Sequence, residues 1–294
     1  MERASVSVVI PSLNASDSID ELLSALERQT VRVSEILVID SSSEDDTVER
    51  ARRHRGVRVV SIDREKFDHG GTRKQAVSFT SGSLILCMTQ DAVPADEKMI
   101  EAMLRPFEDE DVAMVTARQL PKADAREYVR FVQEFNYPKK SNCRTRRDIE
   151  SMGLKAYFAS DSCTMYRRRS YDAVGGFEDP CTTNEDMLIA CRFLKAGFKV
   201  AYEATACVYH SHNLTFKAQL DRNVEIGKFL RKYDGELSVP SEVSEGTRLV
   251  KYVVGRLIDK NDVAGLMRFA LDCVARFVGN RIGRFMRFNT LRLR

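Results

Sequence analysis

The sequence predicts an α/β fold, a mostly parallel sheet covered by helices. Two observations carry this. Apolar runs of strand length alternate with amphipathic helical stretches at short intervals. Polar clusters then fall just past several of the apolar runs, where open α/β sheets bind their ligands.

Residues 5–14, SVSVVIPSLN, read as a first strand stopped by Pro11. The stretch 16–30 opens with capping residues and places Ile19, Leu22, Leu23 and Leu26 on one helical face. Residues 34–47 give a second buried strand ending in the polar turn DSSSEDDT, 47–55 a helix, and 57–63 a third strand. GTRKQAVSFT (71–80) reads as a helix and LILCMTQDAVP (84–94) as a fourth strand. A helix over 95–109 and a strand over 112–121 follow. Residues 122–157 form an aromatic- and arginine-bearing excursion without a regular pattern. Order returns over 158–177 as a strand, a turn and a short helix. A helix ended by Gly197 and a further strand fill 184–202, and a long helical run begins within 210–230. There is no internal repeat.

Composition narrows the class. A chain of 294 residues with 43% apolar and 30% charged residues folds as one large domain or a domain with an appendage. The net charge of +3 is unevenly spread: residues 247–294 carry eleven Lys/Arg against three Asp/Glu, leaving about −5 for the rest. Seven scattered cysteines without a C-x-x-C pair fit a reducing compartment. The opening strand leaves no room for a signal peptide, and no run of eighteen apolar residues occurs. A cytoplasmic location is expected.

Neither G-x-G-x-x-G nor G-x-x-x-x-G-K-[ST] follows the first strand, which argues against a nicotinamide dehydrogenase or a nucleotide triphosphatase. Asp40, ending the second strand, suits a hydrogen bond to a base imide or ribose hydroxyl. It equally suits an Asx turn built with Ser43 and Asp45. The adjacent Gly70 and Gly71 permit close backbone approach, and Arg73 and Lys74 could balance a diphosphate; the same residues suit a plain helix start. Asp91, beside Gln90, is the kind of hard oxygen ligand that holds a phosphate-bound Mg²⁺ or Mn²⁺. Glu185 and Asp186 open a helix, either as a general base or as partners of the helix dipole. His210 and His212, two apart, lie on one side of an extended segment and offer a ligand or phosphate contact. A zinc site completed by Cys207 is a remoter alternative.

Taken in order, these motifs make residues 4–232 resemble the family 2 glycosyltransferases of GT-A fold, and within them bacterial rhamnosyltransferases of surface-polysaccharide (O-antigen) assembly. The resemblance rests on Pro11 and Asn14; on Asp40, Ser41, Ser43, Asp45 and Thr47; on Phe67, His69, Gly70, Gly71, Thr72 and Arg73; and on Thr89, Gln90, Asp91 and Ala92. The glutamate–aspartate pair Glu185–Asp186 and the YHSHN segment complete it. Lys74 departs from the asparagine usual after the arginine. The resemblance implies donor contacts at Pro11, Asn14, Asp40 (to the base), Ser43, Asp45, His69, Gly70, Gln90 and Arg73 (diphosphate side). It also implies a metal on Asp91 with His210, His212 being second to it, and Asp186 as the base beside Glu185. Asp161, read as following a strand, is expected at the donor–acceptor junction, or as a structural turn.

The expected reaction is an inverting transfer of a sugar, L-rhamnose from dTDP-L-rhamnose, to a hydroxyl of a lipid-linked saccharide, with Mg²⁺ or Mn²⁺ as cofactor. The alternatives are a UDP-hexose or UDP-N-acetylhexosamine transferase of the same fold, or a noncatalytic nucleotide-sugar-binding protein. Residues 1–232 would be the catalytic domain, its donor half about 1–120 and acceptor half about 121–232. A linker over 233–246 then leads to a basic tail, 247–294. In that tail Phe269, Cys273, Phe277 and Ile282 are expected to share an apolar face bordered by Arg268, Arg276, Arg281, Arg284 and Arg287. Such a segment either lies on anionic lipid at the inner face of the membrane or packs as a helix pair on the catalytic domain. No nucleic acid is expected, since no recognition motif accompanies the charge. Oligomer formation is left open.

Overall fold

In the computed structural model, residues 5–238 and 243–285 are described; positions 239–242 of the expected linker, and Arg287 with the rest of the chain beyond 285, lie outside them. The strands β1 (Val6–Ser12), β2 (Glu35–Asp40), β3 (Val57–Ser61) and β4 (Leu84–Met88) pair in parallel in the order β3-β2-β1-β4. The three inner ones are rich in Val, Ile and Leu, as strands covered on both faces require. The crossovers carry α1 (Ile19–Glu27), α2 (Thr47–Arg53) and α3 (His69–Ser78). Pro11 does not stop β1. Pairing with β4 ends at Val9, so beyond it β1 has a free side on which proline is tolerated.

The run expected as one strand over 84–94 is broken. β4 ends at Met88, and a turn closed by the Ala92 N–H on the Thr89 carbonyl (3.1 Å) carries Gln90 and Asp91. β5 (Val93–Pro94) then pairs elsewhere. α4 (Met99–Leu104) is likewise shorter than expected and tightens into a 3-10 turn, Arg105–Glu108, at Pro106, which has no N–H to continue it.

After β6 (Val112–Leu120) come α5 (Glu127–Asn136), β7 (Asn142–Arg144), α6 (Asp148–Met152), β8 (Cys163–Arg167), α7 (Arg168–Ala173), α8 (Glu185–Lys195) and β9 (Lys199–Tyr209). The sheet runs β3-β2-β1-β4-β8-β6-β9-β5, with β7 also on β9. It is mixed, which corrects the expectation of a mostly parallel one. β8 is antiparallel to both β4 and β6, and β9 is parallel to β6 but antiparallel to β5 and β7. The excursion before β8 is not a single crossover helix, so nothing forces β8 into parallel alignment. Its reversal has a consequence for the site. Cys163 lies opposite Met88, so the residues just before β8 meet those just after β4. Asp161 therefore precedes its strand instead of following one.

One face of this single α/β Rossmann-like domain packs α1 and α4 through Leu22, Leu23, Met99 and Met103. The other packs α3 and α8 through Ala76, Leu188 and Phe193. The chain continues in α9 (Phe216–Lys232), α10 (Asp234–Leu237), α11 (Val243–Asp259) and α12 (Val263–Phe285). α11 and α12 pack on α5 around Tyr128, Phe131, Val253, Leu257 and Phe269. α12 also lies closely along α9, where a Cβ on Gly283 would come within 2.1 Å of the Val224 carbonyl oxygen. The single apolar face expected for this segment splits in two. Phe269 is 3% exposed, whereas Phe277 and Ile282, at 64% and 41%, point outward. Among the described residues no helix is long and apolar enough to cross a membrane.

Candidate active site and metal centre

Asp91, His210 and His212 form a compact ligand set, one atom from each lying within 4.8 Å of the others. The turn after β4 supplies Asp91, and the segment leaving β9 supplies the histidines. His210 Nε2 is 3.5 Å from Asp91 Oδ1, His212 Nε2 is 3.6 Å from Asp91 Oδ2, and the two Nε2 atoms are 3.0 Å apart. Such edges suit one ion bound at about 2.0–2.6 Å. His210 Nδ1 lies 3.0 Å from Gln119 Oε1, an acceptor, so Nδ1 carries the proton and Nε2 keeps its lone pair. Burial, and then the neighbouring His210, hold His212 below the usual imidazole range, in the neutral, ligating form. Burial works to raise the Asp91 pKa, but His210 and Lys122 outweigh it and keep the carboxylate ionised. Lys122 Nζ is 3.0 Å from Asp91 Oδ2. The donor set fits a divalent cation. Cys207 is not part of it: its thiol bonds the Ala204 carbonyl.

A second cluster gathers around the start of α8. Asn184, in the left-handed region at φ 57°, turns the chain so that Glu185 and Asp186 enter the first helical turn. Glu185 is 4% exposed, and its Oε1 is 2.8 Å from Arg73 Nη1. Asp186, like Glu185, borders the larger cavity. Its Oδ2 accepts from the Asp161 N–H at 3.0 Å and its Oδ1 from its neighbour Met187 N–H at 2.7 Å. Burial first, then the Glu185 charge, push its pKa up to about 6. Asp161 is buried, bonded by the Tyr166 hydroxyl and raised well above the carboxylate range by that burial. Its Oδ2 lies 3.5 Å from Arg73 Nε. His69 is held down to about 4 by burial and by Arg73, and its Nδ1 lies 3.3 Å from Arg73 Nη1. Accepting there, the neutral ring keeps its proton on Nε2.

Two cavities meet at this point. The larger, about 960 Å³, is lined by Asp91, His210, His212, Asp161 and Asp186, with Tyr137 and Phe158 on its wall. The smaller, about 270 Å³, is bounded by Pro11, Leu13, Ser41, Phe67 and Gln90. His69, Arg73, Thr89 and Asp91 border both.

The remaining expected donor residues mostly brace these walls. Asp40, 1% exposed, accepts from Ser12 Oγ (3.1 Å) and from the Ser43 N–H and hydroxyl (2.9 and 2.5 Å). Asn14, at φ 47°, links the β1 loop to the β2 loop: its N–H donates to Ser43 Oγ, and its Oδ1 accepts from Glu44 N–H. Asp45 takes the N–H groups of Ser16 and Thr47. Gln90 clamps the backbone of Leu13, accepting its N–H at 2.7 Å and donating to its carbonyl at 3.1 Å. Gly70 faces the loop before α8, where a Cβ would sit 2.1 Å from the Glu178 carbonyl oxygen. Sequence reasoning missed Gln119 and Lys122, and it placed His212 second although its ring nitrogen stands beside that of His210. The two-residue spacing already put both rings on one side of the segment.

The model of the family described as Glycosyl transferase family 2 matches residues 7–175. The O-antigen chain rhamnosyltransferase RfbN of Salmonella typhimurium is 35% identical over 287 residues, 95% of this chain and 89% of the relative. WbaN of Salmonella anatum, also named an O-antigen chain rhamnosyltransferase, is 34% identical with the same coverage. Among solved structures, the Pyrobaculum calidifontis mannosyltransferase PcManGT, in complex with GDP-Man and Mn²⁺, superposes with a TM-score of 0.62 at 14% identity, over 94% of this chain and 74% of its own.

Proposed function

The chain belongs to glycosyl transferase family 2, and from that premise we propose that it moves L-rhamnose from dTDP-L-rhamnose to a hydroxyl of a lipid-linked saccharide, with inversion, in O-antigen-type polysaccharide assembly. The observation that carries this is the meeting of the Asp91–His210–His212 set and Asp186 on one cavity. The sugar rests on the two relatives named rhamnosyltransferases, which match over nearly the whole chain.

The nucleoside occupies the smaller cavity, against the β1 and β2 loops that Asn14, Ser43 and Asp45 hold together. Asp40, bonded by Ser12 and Ser43, keeps that wall in shape behind Ser41. Gln90 fixes Leu13 over the nucleotide. Asp91, His210 and His212 hold Mg²⁺ or Mn²⁺, which supplies charge neutralisation for the diphosphate. His69 adds its Nε2–H as a hydrogen-bond donor on the same side. Asp186 takes the proton of the acceptor hydroxyl, whose oxygen attacks the anomeric carbon as the bond to the diphosphate breaks. One base suffices, since no glycosyl-enzyme intermediate forms.

The acceptor site opens beside α11, whose Arg248 and Glu245 line the larger cavity. The outward face of α12, with Met267, Leu271, Val274 and Phe277 exposed, rests on anionic lipid at the cytoplasmic face of the membrane. The arginine excess of residues 247–294 supplies the attraction. Incubating the enzyme with dTDP-L-rhamnose, UDP-hexoses, UDP-N-acetylhexosamines and GDP-mannose, with a lipid-diphosphate saccharide and Mn²⁺, tests the donor. Release of dTDP alone supports the reading. Turnover of a UDP or GDP donor reassigns the sugar, and binding without turnover would make the protein a nucleotide-sugar-binding module.

A further inference from the structure

We propose that Arg73 is a positioning residue for the base, setting the ionisation of Asp186 through Glu185 and Asp161. The proposal rests on the reading of Asp186 as the base. Arg73 borders both cavities, yet its side chain is only 3% exposed and its guanidinium is turned into the protein. Nη1 donates to Glu185 Oε1 at 2.8 Å and approaches His69 Nδ1 and the His69 carbonyl at 3.3 Å. Nε faces Asp161 Oδ2 at 3.5 Å, and both of these buried atoms are otherwise without a hydrogen-bond partner. Nη1 and Nε are thus turned toward Glu185 and Asp161.

The commitment matters because of what lies around Asp186. Glu185 precedes it on α8, and Asp161 reaches it through a backbone hydrogen bond of 3.0 Å. Three carboxyl groups therefore crowd one buried place. The other groups facing Asp186 are neutral His69, Tyr137 and Tyr166, together with Arg222. Arg73 is the cation paired with the two carboxyl groups beside the base. With its charge in place, the repulsion that Glu185 exerts on an ionised Asp186 is opposed. With the charge removed, that repulsion acts unopposed and holds the proton on the base. Burial and Glu185 already push the Asp186 pKa up, with Arg73 pulling the other way.

The test is the pH profile of kcat/KM, together with the donor KM, for Arg73→Met, Arg73→Lys and Glu185→Gln. Arg73→Met is expected to raise the acid-limb midpoint by a unit or more, so that activity at pH 6.5 falls about threefold or more and recovers at high pH. The donor KM stays within threefold. Arg73→Lys keeps the charge and shifts the midpoint less. Glu185→Gln removes the repelling acid and lowers the midpoint, which decides the matter even if Arg73→Met fails to fold. A donor KM raised tenfold with an unmoved midpoint, or a Glu185→Gln profile identical to wild type, would overturn the proposal. Asp186→Asn separates the two claims: if it kept full activity, the base reading itself would fall, and the proposal with it.

Discussion

Gln119 Oε1 lies 3.0 Å from His210 Nδ1, and that contact decides which ring nitrogen is turned toward Asp91. The same Gln119 is anchored by its amide nitrogen on Ser160 Oγ at 2.7 Å. A positioning partner of this kind typically changes metal affinity about 10–100-fold when it is removed. Gln119→Leu should therefore weaken Mn²⁺ binding in that range, measured by calorimetry with nucleoside diphosphate present. An unchanged affinity would mean that the His210 tautomer is not set here.

His212 should count as a full ligand. His212→Ala is expected to cost at least tenfold in Mn²⁺ affinity, while Cys207→Ser, altering a thiol bonded to the Ala204 carbonyl, should leave it within twofold. Equal behaviour of the two variants would remove His212 from the set.

The pH dependence follows from Asp186. As the proposed base it must be ionised to act, and its pKa is pushed up to about 6, so kcat/KM should climb through pH 6 and level off above it. The stability effect has the opposite sense. A carboxyl group whose folded pKa exceeds its unfolded value favours the fold while protonated, and that contribution is lost as pH rises through about 6. Asp186→Asn should thus raise Tm more at pH 8 than at pH 4. Thermal unfolding at both pH values checks the sign.

The join between α9 and α12 depends on glycine where the helices touch. A Cβ on Gly283 would meet the Val224 carbonyl oxygen at 2.1 Å and Gly227 Cα at 2.8 Å, both backbone atoms that cannot swing aside. Gly283→Ala should cost about 1–3 kcal/mol. Gly255 on α11 has nothing within 4 Å of a built Cβ, so Gly255→Ala should stabilise by up to about 1 kcal/mol. Denaturant unfolding of the two variants should move in opposite directions.

The outward face of α12 gives a prediction of its own. Leu271→Asp with Phe277→Asp, both at exposed positions, should abolish sedimentation with anionic vesicles while leaving the fold intact by circular dichroism. Vesicle binding by the variant would exclude this face. If the wild type failed to bind vesicles and instead formed dimers that the variant lost, the face would be a contact with a second copy.

The strand-end acids could be read in the sequence because each interrupts an apolar run: Asp40 after ILVI, and Asp91 three residues beyond Met88. The first four strands were legible for the same reason. What the sequence hid was long-range pairing. Gln119 meets His210 across 91 residues and Arg73 meets Glu185 across 112, and neither partner shows a local pattern. Asp161 was misplaced relative to its strand because nothing in its neighbourhood reveals that β8 runs backward beside β4. Phe269 and Phe277 were grouped together because α12 is apolar on two faces. Periodicity alone cannot tell a packed face from an outward one.

The central claim is that Asp186 is the base of a metal-dependent sugar transfer. The most direct measurement is nucleoside-diphosphate release from dTDP-L-rhamnose in the presence of Mn²⁺ and a lipid-diphosphate saccharide, for wild type and Asp186→Asn, with donor binding measured in parallel. The account predicts release by the wild type, at least a thousandfold less by the variant, and equal donor affinity in both. Release by Asp186→Asn within tenfold of wild type would contradict it.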